Sequence, residues 1–115
     1  MNKESTRYFS DIHEKSICKA LCAVQVSNSG AGRFTKGDCI QRNASLLIEA
    51  KTSMKDKDSF SIKKEWLLKN REEAFANRLS NSCLCFRFGP EQENYYVISE
   101  GLMRFLVEKL QEEND

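Results

Sequence analysis

The stretch that decides the fold is GDCIQRNASLLIEAK, residues 37–51. Asp38–Gln41 and Leu46–Lys51 are strand-like, and Arg42-Asn43-Ala44-Ser45 between them forms turns readily, so the segment predicts a hairpin. Side chains alternate across a strand. Leu46, Ile48 and Ala50 therefore share one face, and Leu47, Glu49 and Lys51 the other. Asp38 lies on the neighbouring strand, so two carboxylates and one ammonium can converge. Two hard oxygen donors suit Mg²⁺, which keeps several waters and is often held by one or two carboxylates plus phosphate oxygens. A lysine beside them can orient or deprotonate a water, or hold a phosphate. The bare D…ExK spacing also arises by chance on surface hairpins. Here its flanks are apolar, a Ser/Gly-containing loop leads into Asp38, and an upstream helix carries Glu14 at its edge.

Working outward, residues 4–22 predict a helix. Phe9, Ile12, His13, Ile17, Ala20, Leu21 and Val24 fall in one broad arc at helical spacing. Residues 23–26 are a candidate short strand, and 27–38 (SNSGAGRFTKGD) read as a loop. That loop is no phosphate-binding P-loop, because no GK[ST] follows it. After the hairpin, residues 52–60 are polar and predict a mobile connection. Residues 61–80 predict a long helix capped by Ser61 or Asp58, burying Ile62, Trp66, Leu67, Ala74 and Leu79. In residues 83–88, Leu84, Phe86 and Phe88 alternate with Cys83, Cys85 and Arg87. Gly89-Pro90 turns the chain into a strand over 95–98, and Ser99 caps a last helix with Leu102, Phe105, Leu106 and Leu110 as its inner stripe. The order is α–(β)–β–β–α–β–β–α, an α/β fold with a mixed sheet.

The 115 residues suit one domain. With 40% apolar and 30% charged residues the composition is globular. The N-terminal MNKESTRYF lacks a signal-peptide core, and no apolar run approaches the ~20 residues of a membrane span. Five Cys at positions 18, 22, 39, 83 and 85 match no zinc ribbon or finger. Reduced thiols, and with them a cytoplasmic setting, are the expectation. The net charge of +1 hides an asymmetry. Residues 33–71 carry ten Lys/Arg against five acids, and residues 72–115 carry four against nine. A basic middle is either a polyanion-binding surface or an ordinary solvated one. His13, Cys83, Cys85 and Trp66 read as packing residues.

Four segments, HEKSICKAL (13–21), SGAGRFTKGDCI (29–40), SLLIEAKTS (45–53) and SIKKEWLLKNREEAFA (61–76), occur in an order that resembles small nucleases of the PD-(D/E)XK superfamily. The nearest resemblance is to its Holliday-junction-resolvase-like branch, over roughly residues 8–99. It implies a restriction-endonuclease-like αβββαβ core, with residues 1–115 as a single nuclease domain. It implies Asp38 and Glu49 as metal carboxylates, the Ala50 carbonyl as a further ligand, and Lys51 as the catalytic lysine. Glu14 matches the first-helix glutamate that reaches the metal, and Ser29 the loop serine near the scissile phosphate. Mg²⁺ is the implied cofactor, with Mn²⁺ able to substitute. Arg33, Lys36, Lys55, Lys63 and Lys64 are candidate DNA contacts. Gly37 stands where the superfamily name has Pro, and Lys15 where archaeal-type resolvases often have Arg. The implied activity is structure-selective DNA cleavage in recombination, repair or phage DNA processing, in a bacterial cell. Symmetric cutting of a four-way junction calls for a homodimer, with Phe34, Phe60 or Phe75 available for its interface. Three alternatives stay open: a nicking or restriction-like nuclease of the same fold, a catalytically inactive DNA-binding module, and a structural α/β domain.

Overall fold

The structure, a computed structural model, describes residues 3–26 and 38–115. The predicted hairpin forms as read: β2 (Asp38–Gln41) pairs antiparallel with β3 (Leu46–Lys51). Its turn closes by the Ser45 N–H donating to the Arg42 carbonyl at 3.0 Å. Ser45 takes a left-handed conformation, φ 51°, without being glycine. The turn is fastened to the next strand, as the Asn81 N–H donates to the Ser45 carbonyl at 2.8 Å. That strand is β4 (Asn81–Phe86), and it runs parallel to β3. A parallel neighbour needs a crossover, which is α2 (Lys64–Ala76). β1 (Val24–Gln25) and β5 (Tyr95–Val97) add antiparallel at the two edges. The five strands lie in sequence order in one sheet, and with α1 (Lys3–Leu21), α2 and α3 (Glu100–Glu113) the chain runs α1–β1–β2–β3–α2–β4–β5–α3.

Strand alternation sorts the core into two sides. On the α1 side, Ile17 packs with Cys39, Ile48, Cys83 and Cys85. On the α2 side, Ile40 and Leu47 pack with Ala74 and Leu79. His13 is fully buried on α1, its Nδ1 2.9 Å from Thr52 Oγ1 and its Nε2 3.5 Å from Cys85 Sγ. Burial holds the Cys83 and Cys85 thiols up, each to about 12. Arg87 ties β4 to α1, donating to Ser16 Oγ at 2.8 Å and to Asn94 Oδ1 at 2.6 Å. Among the described residues, no helix is long and apolar enough to cross a membrane.

Three expectations need correction. The helix predicted over 61–80 spans only Lys64–Ala76, its N-cap Lys63 makes no side-chain cap bond, and its buried residues are Asn70 and Ala74. Leu79 is buried as expected, but after the helix has ended. Residues 52–60 are pinned rather than loose. Ser53 is buried and donates to the Arg87 carbonyl at 2.7 Å, and the Lys57 N–H donates to the Phe88 carbonyl at 2.7 Å. The stripe of α3 faces outward. Ser99 Oγ does cap the helix, accepting from Leu102 N–H at 3.1 Å, but α3 buries no residue. Nothing in the described chain covers its apolar side.

Candidate active site

The site is built by register. Asp38 and Glu49 are paired residues across β2 and β3. Paired residues on adjacent strands point to the same face. Their neighbours two residues along, Ile40 and Leu47, pack against Ala74 of α2, so both carboxylates project to the α2 side. Asp38 is fully buried, and the side chain of Glu49 is 14% exposed. Lys51, two residues beyond Glu49, shares that face. Its Nζ is 2.8 Å from Glu49 Oε2 and 4.3 Å from the centre of the Trp66 ring. The lysine is thereby held between a carboxylate and an aromatic face, an arrangement that fixes the direction of its N–H donors.

Glu14 is carried by α1. It is largely buried, and its Oε1 accepts from Gln25 Nε2 at 3.1 Å, a donor shared with Asp11 Oδ1. Gln25 pairs with Cys39, whose Sγ lies 3.8 Å from the Glu14 carbonyl oxygen, so α1 holds Glu14 against β1 and β2. Cys39 has its thiol pushed well above the usual range by burial first, with Cys18, Glu14 and Asp38 adding to it. Among the described residues, no group of three or more His, Cys, Asp and Glu side chains is placed to hold a metal.

The donor set fits a hard divalent cation as a pair, not as a triad. Asp38 and Glu49 supply carboxylate oxygens from adjacent strands, and Ala50 and Lys51 extend past the last described pairing of β2 with β3. Two carboxylates and one ammonium leave a formal negative charge in a largely buried place, which a divalent cation offsets.

Of the other candidate residues, Lys55, Lys63 and Lys64 are exposed. Lys63 Nζ lies 5.7 Å over Trp66, and Lys64 opens α2. Ser29, Arg33, Lys36 and Phe34 lie outside the described residues. A cleft of 410 Å³ lies elsewhere, lined by Cys22, Val24, Ile40, Arg42 and Asn43 among others, and includes neither carboxylate.

One residue escapes sequence reading. Asn70 is 2% exposed, and its Nδ2 makes no hydrogen bond to the described residues. One helical turn before it, Trp66 lies beside Lys51, and one turn after it, Ala74 packs with Leu47. Lys51 and Leu47 flank Glu49 by two residues each way. Advance along helix and strand thus brings Asn70 to the level of Glu49. The signal was a lone amide on the Trp66–Asn70–Ala74 line, at i, i+4 and i+8.

No protein-family model, curated protein or solved structure matches the chain.

Proposed function

We propose that the chain is a divalent-metal-dependent endodeoxyribonuclease of the PD-(D/E)XK kind, a structure-selective, resolvase-like enzyme of DNA recombination, repair or phage DNA processing. The observation that carries this reading is the cross-strand pair Asp38–Glu49 with Lys51 two residues on, on one face of a buried strand. The order α1–β1–β2–β3–α2–β4 also supports it, being the helix, three strands, helix and strand that the resemblance implies. In this reading Asp38, Glu49 and the Ala50 carbonyl hold Mg²⁺, or Mn²⁺ in its place. The cation supplies a compact positive charge that acidifies water and offsets charge developing on the phosphate. Lys51, steered by Glu49 and Trp66, directs its N–H donors at the attacking water and the phosphate oxygens. Water attacks phosphorus and the 3′ oxygen departs. Glu14, on α1, is the first-helix carboxylate that the resemblance assigns to the metal, reaching it directly or through water. One site cuts one strand, so symmetric cleavage of a junction needs two copies.

The test is cleavage of a labelled four-way junction, against plain duplex, in Mg²⁺, Mn²⁺, Ca²⁺ and EDTA. Cutting is expected in Mg²⁺ and Mn²⁺, with binding alone in Ca²⁺, a poorer activator of water. Glu49→Gln keeps the shape of the side chain and loses its charge. It is expected to cut more than tenfold slower, a barrier increase above ~1.4 kcal/mol, with DNA binding in Ca²⁺ retained. Equal cutting in EDTA, or a Glu49→Gln enzyme near full rate, removes the metal mechanism. The lack of a third converging carboxylate among the described residues favours a second reading, a DNA-binding module without hydrolysis. Binding in every arm with cutting in none identifies it.

A further inference from the structure

One step along the strand from Glu49, the same face of the sheet carries a second row. Lys51, Phe86 and Tyr95 are register partners on β3, β4 and β5. Phe60 stacks on Phe86, with centroids 4.8 Å apart and planes at 20°. Phe86 stacks in turn on Tyr95, at 5.9 Å and 27°. Phe88 closes the cluster edge-on to both. Ammonium groups lie along this ladder and the adjoining Trp66. Lys57 Nζ is 5.9 Å from the centre of the Phe60 ring, and Lys51 and Lys63 lie over Trp66 at 4.3 and 5.7 Å. The ladder is open at its end. Tyr95, on the edge strand, is 46% exposed, and its hydroxyl reaches Glu93 Oε2 at 3.3 Å.

We propose that the exposed end of this ladder, at Tyr95, is a stacking subsite for an unpaired nucleobase, with the surrounding lysines taking the phosphates of the same strand. The proposal rests on the reading that Asp38 and Glu49 act on DNA phosphodiesters, and it adds that the strand engaged there is unpaired. In a duplex the base faces are already covered by their neighbours, and a protein reaches only edges and backbone. A single strand offers a free face, and aromatic rings flanked by cations are the surface that takes it. Lys51 and Tyr95 are two strand spacings apart, about 10 Å. That distance lets a short extended strand touch the ladder while its backbone passes Glu49. The substrate class is therefore DNA with an unpaired segment at the cut, such as a flap, a gap or an opened branch point.

The test is binding by the full chain in EDTA, where nothing is cut. Trp66 is the only tryptophan of the chain, so its emission reports on the ladder without a label. The ligands are a single strand of about 12 nucleotides, an abasic strand of the same length, and the duplex. The base-bearing strand is expected to quench Trp66 and to bind at least about fivefold tighter than the abasic strand, which has the same charge. Tyr95→Ala should remove most of that preference and leave duplex affinity unchanged, and Tyr95→Phe should restore it. A smaller preference for bases overturns the proposal, as does no binding of single strands, or equal weakening of strand and duplex by Tyr95→Ala. The comparison of abasic and base-bearing strands needs no variant, so misfolding of Tyr95→Ala does not blunt it. Base stacking without any cleavage in Mg²⁺ would overturn the nuclease reading and leave this one standing.

Discussion

His13 shows what burial does to a titratable group. Its ring is enclosed between Thr52 and Cys85, with the Arg87 guanidinium nearby. Burial first, and then the charge of Arg87, lowers its pKa to about 4, against a small opposing effect of Asn94. Its ordinary value is about 6.5, so between pH 4 and 6.5 the unfolded chain binds the extra proton. This contribution to stability is complete above pH ~6.5 and is lost as pH falls toward 4. Between pH 7 and 5 it amounts to about 2 kcal/mol. Urea unfolding in EDTA should show that loss, and His13→Gln, which does not titrate, should show less than half of it. Equal slopes would mean the ring is protonated in the fold. Asp38, Glu49 and Lys51 were legible at this scale because alternation along a strand is a local rule. Asn70 was not, because a helix face is recognised by its apolar members and this buried position is polar. The partner of Glu14 was not legible either, since its bond from Gln25 joins two different elements.

At the level of elements, α2 ends in a way that carries no local marker. Arg78 adopts φ 60°. The Leu79 N–H donates to the Ala74 carbonyl at 2.8 Å, and the Arg78 N–H to the Phe75 carbonyl at 3.0 Å. These are the paired bonds of a Schellman cap, completed by the packing of Leu79 on Ala74. Glycine is the usual residue at the left-handed position. Arg78 is exposed and has no buried contact to lose. Arg78→Gly should therefore stabilise the fold by about 1 kcal/mol, less the entropy that glycine adds to the unfolded chain. Thermal unfolding checks it, and a lower midpoint would show that Arg78 contributes more than its backbone strain costs. Cys22, φ 55°, ends α1 in a similar way. Arginine gave no signal for the end of α2, so a pattern that included Leu79 extended the helix past it. The hairpin needed no such marker, because its strands differ in composition from their turn. The polar run 52–60 misled for a different reason. Its anchors are backbone carbonyls of Arg87 and Phe88, which leave no trace in composition.

On the scale of the molecule, the order of elements and the mixed sheet were legible, because each strand is short, alternating and bounded by turns. What α3 packs against was not, since amphipathic spacing shows that a face is to be covered and not by what. Met103, Phe105, Leu106, Val107 and Leu110 are between 42% and 62% exposed. Taken at roughly half of each side chain's surface, two such faces together remove on the order of 1,000 Å² from water, about the threshold for a specific interface. The helix carries both signs of charge, Arg104 and Lys109 among four glutamates, so two copies meet without uniform repulsion. Symmetric cutting of a junction, as proposed, also needs two sites related by a two-fold axis. We therefore expect α3 to pair with α3 of a second copy, ahead of the smaller exposed pair Leu68 and Phe75 on α2, and of Phe60, which is committed to the ladder. Sedimentation should show a concentration-dependent dimer. Leu106→Glu with Leu110→Glu should give a monomer that keeps its thermal transition, since neither residue is buried, and that nicks a junction without resolving it. A wild-type monomer at every concentration, or a double variant that remains dimeric, would place the interface elsewhere and leave the apolar side of α3 to a different partner.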